Sequence, residues 1–221
     1  MATRADLRGF VRLKVAESAQ GRFSDALLNQ CIEEGAQQFS ILSGCILTLD
    51  KTLTTMSGTY EYDLPAKCPG PEAVIGAWWG DKTHLKATSL TALLRLGYNP
   101  DDVSGTADPA KWYCKSKSGK QQMCLYPVPG SAENLRIWHG LAATPFALDT
   151  STCDVPDTWK IAVVNFAVEL AFETVREFGY AAEFHERAMQ DVGRARAFVE
   201  ATISAGLQDR DGTNDDNMGM F

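Results

Sequence analysis

The residue types from which a reactive site is usually assembled are all present, but their spacing scatters them. His84, His139 and His185 lie far apart, so no two sit at the three- or four-residue spacing that would set ligands or an acid–base pair on one helical face. The six cysteines, Cys31, Cys45, Cys68, Cys114, Cys124 and Cys153, contain no C-x-x-C and no histidine at metal-ligand spacing. They read as reduced thiols that fill the core. Paired carboxylates such as Glu33 and Glu34 fall on a solvated helical face, and such a pair carries little specificity for acid–base work. The phosphate loop G-x-x-x-x-G-K-[ST], the dinucleotide turn G-x-G-x-x-G, the zinc helix H-E-x-x-H and the nucleophile elbow G-x-S-x-G are all missing. The spacing therefore predicts no catalytic residue, no metal and no cofactor.

What the side chains offer instead is recognition. Trp78 and Trp79 are neighbours on a strand, where successive side chains point to opposite faces. Either one of them meets a partner or the sheet is covered on both sides. Lys111, Lys115 and Lys117 alternate with Trp112, Cys114 and Ser116, giving one strand a basic face around Tyr113. That face suits phosphates or an acidic partner, or else it blunts a sheet edge against aggregation. Arg4, Arg8 and Arg12 form a second basic row, which serves as a solvated helical face or as a docking surface for an acidic partner.

These groups must be held by elements that the pattern outlines. Residues 3–19 read as a helix capped by Thr3, and Ser24 caps a second whose stripe is Leu28, Cys31, Ile32, Gly35, Phe39 and Leu42. From residue 50 to 150, prolines, glycines, aromatic and β-branched residues mark a β-rich region. Its predicted strands are 52–64, 73–79, 111–117, 121–126 and 134–139, with a short helix at 89–96. After Pro156 a long helix over 158–178 is apolar around most of its circumference. One row holds Trp159, Val163, Phe166 and Leu170, another Ile161, Val164, Val168, Phe172 and Val175, and Asn165, Glu169, Glu173 and Arg176 mark the polar stripe. Such a helix must be covered on more than one side, once by its own bundle and once by a neighbour. A last helix follows Gly179 and ends near Gly206.

Residues 207–221 hold Asp209, Asp211, Asp215 and Asp216 against Arg210, with no helical or strand period, and finish in Met218, Met220 and Phe221. Alone, such a segment stays disordered; Leu207 and the residues named here read as a docking tail. Over all 221 residues, 28 acidic against 21 basic side chains give a net charge of -7, which argues against tight gripping of nucleic acid. The longest apolar run, 73–80, is far short of a membrane span. The opening residues lack the apolar centre of a secretory signal, so synthesis in the cytoplasm is expected.

The order of the pieces resembles the head-to-tail connector, or adaptor, proteins of tailed bacteriophages. The resemblance rests on four runs in sequence: Phe23-Ser24-Asp25-Ala26-Leu27-Leu28-Asn29 opening a helix, Gly58-Thr59-Tyr60-Glu61-Tyr62-Asp63-Leu64-Pro65, Leu125-Tyr126-Pro127-Val128-Pro129, and Val155-Pro156-Asp157-Thr158-Trp159 opening the apolar helix. It implies a virion protein of the head–tail neck, assembled in the bacterial host. It implies a ring of about twelve copies that joins the portal protein to a tail, stopper or nozzle protein while double-stranded DNA passes through without sequence-specific contact. The expected architecture is α+β: a bundle made by the terminal helical hairpins, 1–49 and 151–206, with a β-rich domain, 50–150, between them. Trp78, Trp79, Ile161, Val164, Val168, Phe172 and the tail are the expected interface, and Arg4, Arg8, Arg12, Lys111, Lys115 and Lys117 the basic contacts. The alternatives are a module stacking a ligand such as a carbohydrate on Trp78 or Trp79, Trp112 and Tyr113, a hydrolase whose acid–base pair is not located, and another neck ring such as a stopper or tail-completion protein.

Overall fold

The structure is a computed structural model that describes residues 1–16, 21–80, 83–98, 105–117 and 119–208, with only the backbone at 117 and 204–208. Helix α1 (Arg4–Lys14) starts on a capping box: the Thr3 hydroxyl accepts from the Asp6 amide at 3.2 Å, and the Asp6 carboxylate accepts from the Thr3 amide at 2.9 Å. The helix stops at Lys14, earlier than the sequence pattern suggests, with Ala16 in the left-handed region at φ 57°. Helix α2 (Asp25–Ser43) opens on the Ser24 hydroxyl and closes on Gly44, whose φ of 69° terminates the helix without a side-chain clash.

The predicted strand over 52–64 is instead two: β1 (Leu47–Thr54) and β2 (Glu61–Asp63). They separate because Thr55 turns inward, its hydroxyl taking the Glu133 amide at 2.9 Å and the Trp79 indole N–H at 3.1 Å. Beyond Thr55, Gly58 turns the chain at φ 77°. Strands β3 (Val74–Trp79) and β4 (Thr83–Ala87) and helix α3 (Leu90–Arg95) follow. Then come β5 (Thr106–Ala107), β6 (Lys111–Lys117), β7 (Lys120–Tyr126), β8 (Val128–Pro129) and β9 (Asn134–Gly140). Among the described residues the main sheet has seven strands in the order β1-β9-β3-β4-β6-β7-β2, and β5 pairs with β8. All neighbours in the main sheet run antiparallel except β4 and β6, where Ala87 stands opposite Trp112.

A 3₁₀ turn over Asp157–Trp159 leads into α4 (Lys160–Thr174), and α5 (Phe178–Gln208) runs back from it. The helix expected over 158–178 breaks before Gly179. Arg176 takes φ 62°, with its amide on the Glu173 carbonyl and the Glu177 amide on the Phe172 carbonyl, the two bonds of a Schellman stop.

The fold class is mixed α+β, as expected. One core gathers Leu7 and Val11 of α1, Leu28, Ile32 and Phe39 of α2, most of α4, and Phe184, Ala188 and Val192 of α5. Gly35 lets α2 and α4 meet, since a Cβ there would lie 3.0 Å from the Phe166 Cβ and 3.1 Å from the Ala167 amide nitrogen. A second core under the sheet holds Trp79, Leu85, Trp112, Met123, Leu135 and Ile137. The last turns of α5 join the two layers, with Ile203 packed on Ile75 and Trp78 of β3.

Candidate assembly surfaces

The basic row on α1 faces inward rather than outward. Arg4 Nε donates to Asp149 Oδ1 at 2.9 Å, and one Arg4 Nη to the Phe146 carbonyl at 3.1 Å. Arg8 donates to Asp149 Oδ2 at 2.9 Å and to Asn29 Oδ1 at 2.8 Å; Arg12 donates to Asp25 Oδ1 at 2.6 Å. These bonds raise the Arg8 pKa and hold the Asp149 carboxyl below the usual carboxylate range, with Arg8 the larger influence and Arg4 the next. The row ties α1 to α2 and to the segment after β9, and the acidic partner is the chain itself.

The lysine strand is interior to the sheet only at its start, where Lys111 and Trp112 pair with β4; among the described residues it is laddered to β7 alone from Tyr113 on. The edge-blunting reading is therefore corrected at Lys111, and Lys111 and Lys115 are both engaged on the sheet face. Lys115 pairs with Glu61 of β2 and lies 5.3 Å from the centre of the Tyr60 ring. Lys111 sits over Tyr98 at 5.8 Å, and Lys120 reaches Asp63 at 3.0 Å. The Lys117 side chain lies outside the described residues.

Trp78 and Trp79 are each 7% exposed, one under α5 and one in the sheet core, so the chain covers both faces of β3 itself. The same holds for α4. Val164 and Val168 are fully buried and Phe172 nearly so, because α1, α2 and α5 close around the helix; Ile161 is the exception at 40% exposed. The apolar circumference of α4 is thus satisfied within one chain, and the need for a neighbour inferred from it falls away. Its polar stripe turns toward α5. Buried Glu169 meets His185 Nδ1 at 2.8 Å, while Glu169 Oε2 and Asn165 Oδ1 have no partner among the described residues. Burial raises the Glu169 carboxyl, and the His185 contact offsets part of that shift. The tail residues Asp209, Asp211, Asp215, Asp216, Met218, Met220 and Phe221 lie outside the described residues, as does the Leu207 side chain.

The histidines stand in three separate places: His139 is buried in the sheet, His84 stacks 4.6 Å from Trp78, and His185 is on α5. Burial pushes the thiols of Cys31 and Cys45 up to about 11 and Cys114 up to about 12, which keeps them protonated. Among the described residues no three His, Cys, Asp or Glu side chains cluster as a metal site, and no helix is long and apolar enough to cross a membrane.

The surface that stands out is one the periodicity did not single out. On and just after α3, Leu90, Leu94, Leu96 and Tyr98 are 42–63% exposed around buried Leu93. At the α4–α5 corner, Phe178 and Tyr180 are 65% and 59% exposed, with Tyr180 stacked on Phe172. The signal in the sequence was four leucines between residues 90 and 96, more than one face of so short a helix can hide.

The ordering of motifs that resembled phage head-to-tail adaptors is borne out by comparison with protein families. Residues 2–214 match the SU10 adaptor protein family, while no curated protein matches the chain. The match runs from the residue preceding the α1 cap through all five described helices and both sheets into the segment after α5. With 2–214 of its 221 residues matched in one stretch, the chain belongs to the SU10 adaptor protein family.

Proposed function

We propose that the protein is a structural subunit of the head–tail neck of a tailed phage, forming a ring of about twelve copies that joins the portal to the next tail component around the DNA channel. The observation that carries this reading is the family match over residues 2–214. In it, the terminal hairpins 1–49 and 151–206 act as one bundle, 50–150 as a β-rich domain between them, and 207–221 as the docking tail. A ring repeats one contact head to tail, so it needs two different patches on each copy. The α3 patch and the α4–α5 corner, together with Ile161, meet that need, whereas the buried positions of α4 do not. The net charge of -7 suits a channel through which DNA slides, because a strongly basic wall would hold phosphates. The function is non-enzymatic in this reading.

The test is to mix the purified chain with its cognate portal rings and image the product by electron microscopy. Rings stacked on one end of the portal are expected. A portal left bare under assembly conditions would sink the adaptor reading, whatever the state of the chain alone.

A further inference from the structure

Where the last turns of α5 cross the sheet they leave a cleft of about 300 Å³. Trp78, His84, Lys86 and Trp112 of the sheet and Glu200 and Ile203 of α5 are among the residues that line it. A Cβ at Gly76 would lie 2.8 Å from the Trp78 ring, so glycine lets that indole approach the strand, and the centre of the His84 ring lies 4.6 Å from it, tilted by 33°. The volume is at the small end of the roughly 300–1,000 Å³ of ligand pockets, room for a few side chains and not for a polymer. Of the charged lining residues, Glu200 is taken by Arg196 at 3.3 Å, while exposed Lys86 pairs with no described residue.

We propose that this cleft is the seat of the chain's own residues 218–221, so that before assembly the apolar end of the tail is stored beside the helix that carries it. Four features support this occupant. The helix delivers the chain there, because Glu200 and Ile203 both line the cleft. The five residues from Ile203 to Gln208 advance only about 7.5 Å. The thirteen residues after Gln208 can extend about 45 Å, far more than the return requires. Their Gly, Asn and Asp residues are types that favour turns.

The chemistry also matches. After Leu207 the apolar side chains of the tail are Met218, Met220 and Phe221, and thioether and phenyl groups suit an apolar lining that includes Ile75, Ile203 and Ala87. Asp215 and Asp216 stand just upstream, and Lys86, a cation with no ion-pair partner among the described residues, lines the cleft. The family match covers residues 2–214, so residues 218–221 lie beyond it. Storage does not depend on the neck assignment; it is a property of the isolated chain and is tested without a portal.

A photoreactive benzophenone amino acid placed at position 221 of the full chain, irradiated at several protein concentrations, is expected to cross-link within one molecule to the peptides carrying Trp78 or Trp112. Cross-links to other surfaces, none at all, or links to a second copy that grow with concentration would each overturn the proposal. A second measurement leaves the core untouched. Cleavage before Asp215 and Asp216 by an aspartate-directed protease should be several-fold faster in Lys86→Glu and in the double variant Met220→Ser/Phe221→Ser than in the parent chain, with unchanged melting temperature. Equal rates in all three chains would refute the stored tail. Failure here with portal decoration intact removes the storage alone, and the reverse result removes the adaptor reading alone.

Discussion

Asp149 accepts from Arg4 and Arg8, which lie 145 and 141 positions earlier in the chain. Removing one donor leaves Asp149 and Asn29 short of a partner. Arg8→Ala is therefore expected to lower the midpoint of urea unfolding, by less than loss of a fully buried pair would because Asp149 is partly solvated. The pH dependence has a definite sign. Asp149 is held below its ordinary pKa, so its contribution is fully present above the unfolded value and is lost as pH falls through the folded one. Melting temperature should thus drop on acidification below the ordinary carboxylate range, and drop less in Arg8→Ala. Glu169 has the opposite sign. Burial raises its carboxyl, so the proton is held more tightly in the fold, and the advantage is lost as pH rises through the folded pKa. At neutral pH the charged group is a net cost. Glu169→Gln should raise the melting temperature at pH 7–8, keeping an acceptor for His185 and gaining a donor one turn from Asn165, and this gain should vanish near pH 4. A gain that is equal at both pH values would show that charge burial is not its origin.

At the scale of elements, two backbone positions set how the helices lie. Gly35→Val would drive methyl groups into the Phe166 and Val163 turn of α4, and about 3 kcal/mol of destabilisation is expected by chemical denaturation. Arg176 holds the left-handed stop between α4 and α5, a conformation that costs a non-glycine residue roughly 1–2 kcal/mol. Arg176→Gly should stabilise by about 0.5–1 kcal/mol after glycine's larger unfolded-state entropy. The same elements show what a linear pattern can and cannot convey. Caps at Thr3 and Ser24, the short helix near 90, the stripe through Gly35, and the strands near 74, 111, 121 and 134 were all legible, because each depends on neighbours within a turn or a hairpin. Three things depended on partners far along the chain. The break at Thr55 rests on Glu133, the inward arginine row rests on Asp149, and the interior position of the start of β6 rests on its parallel pairing with β4. No local period reports any of them.

For the whole molecule, the exposed side chains matter more than the buried ones. On the proposed ring, Leu94→Asp together with Leu96→Asp should abolish portal decoration in electron micrographs while the melting temperature stays within about 1 °C, because both side chains are more than half exposed. Loss of the fold, or a normal ring, would remove the α3 patch from the interface. The path through the β-layer has a further consequence. The chain enters it on β1 and leaves on β9, and these two strands are bonded to each other from the Leu47–Gly140 pair to the Thr54–Asn134 pair. The layer therefore behaves as a cassette on a zipped double stem. That cassette still touches the helices, because β3 lies within it and its Ile75 and Trp78 carry Ile203 of α5, so a graft beyond Thr54 and Asn134 keeps the helical layer in place only if it keeps those two side chains.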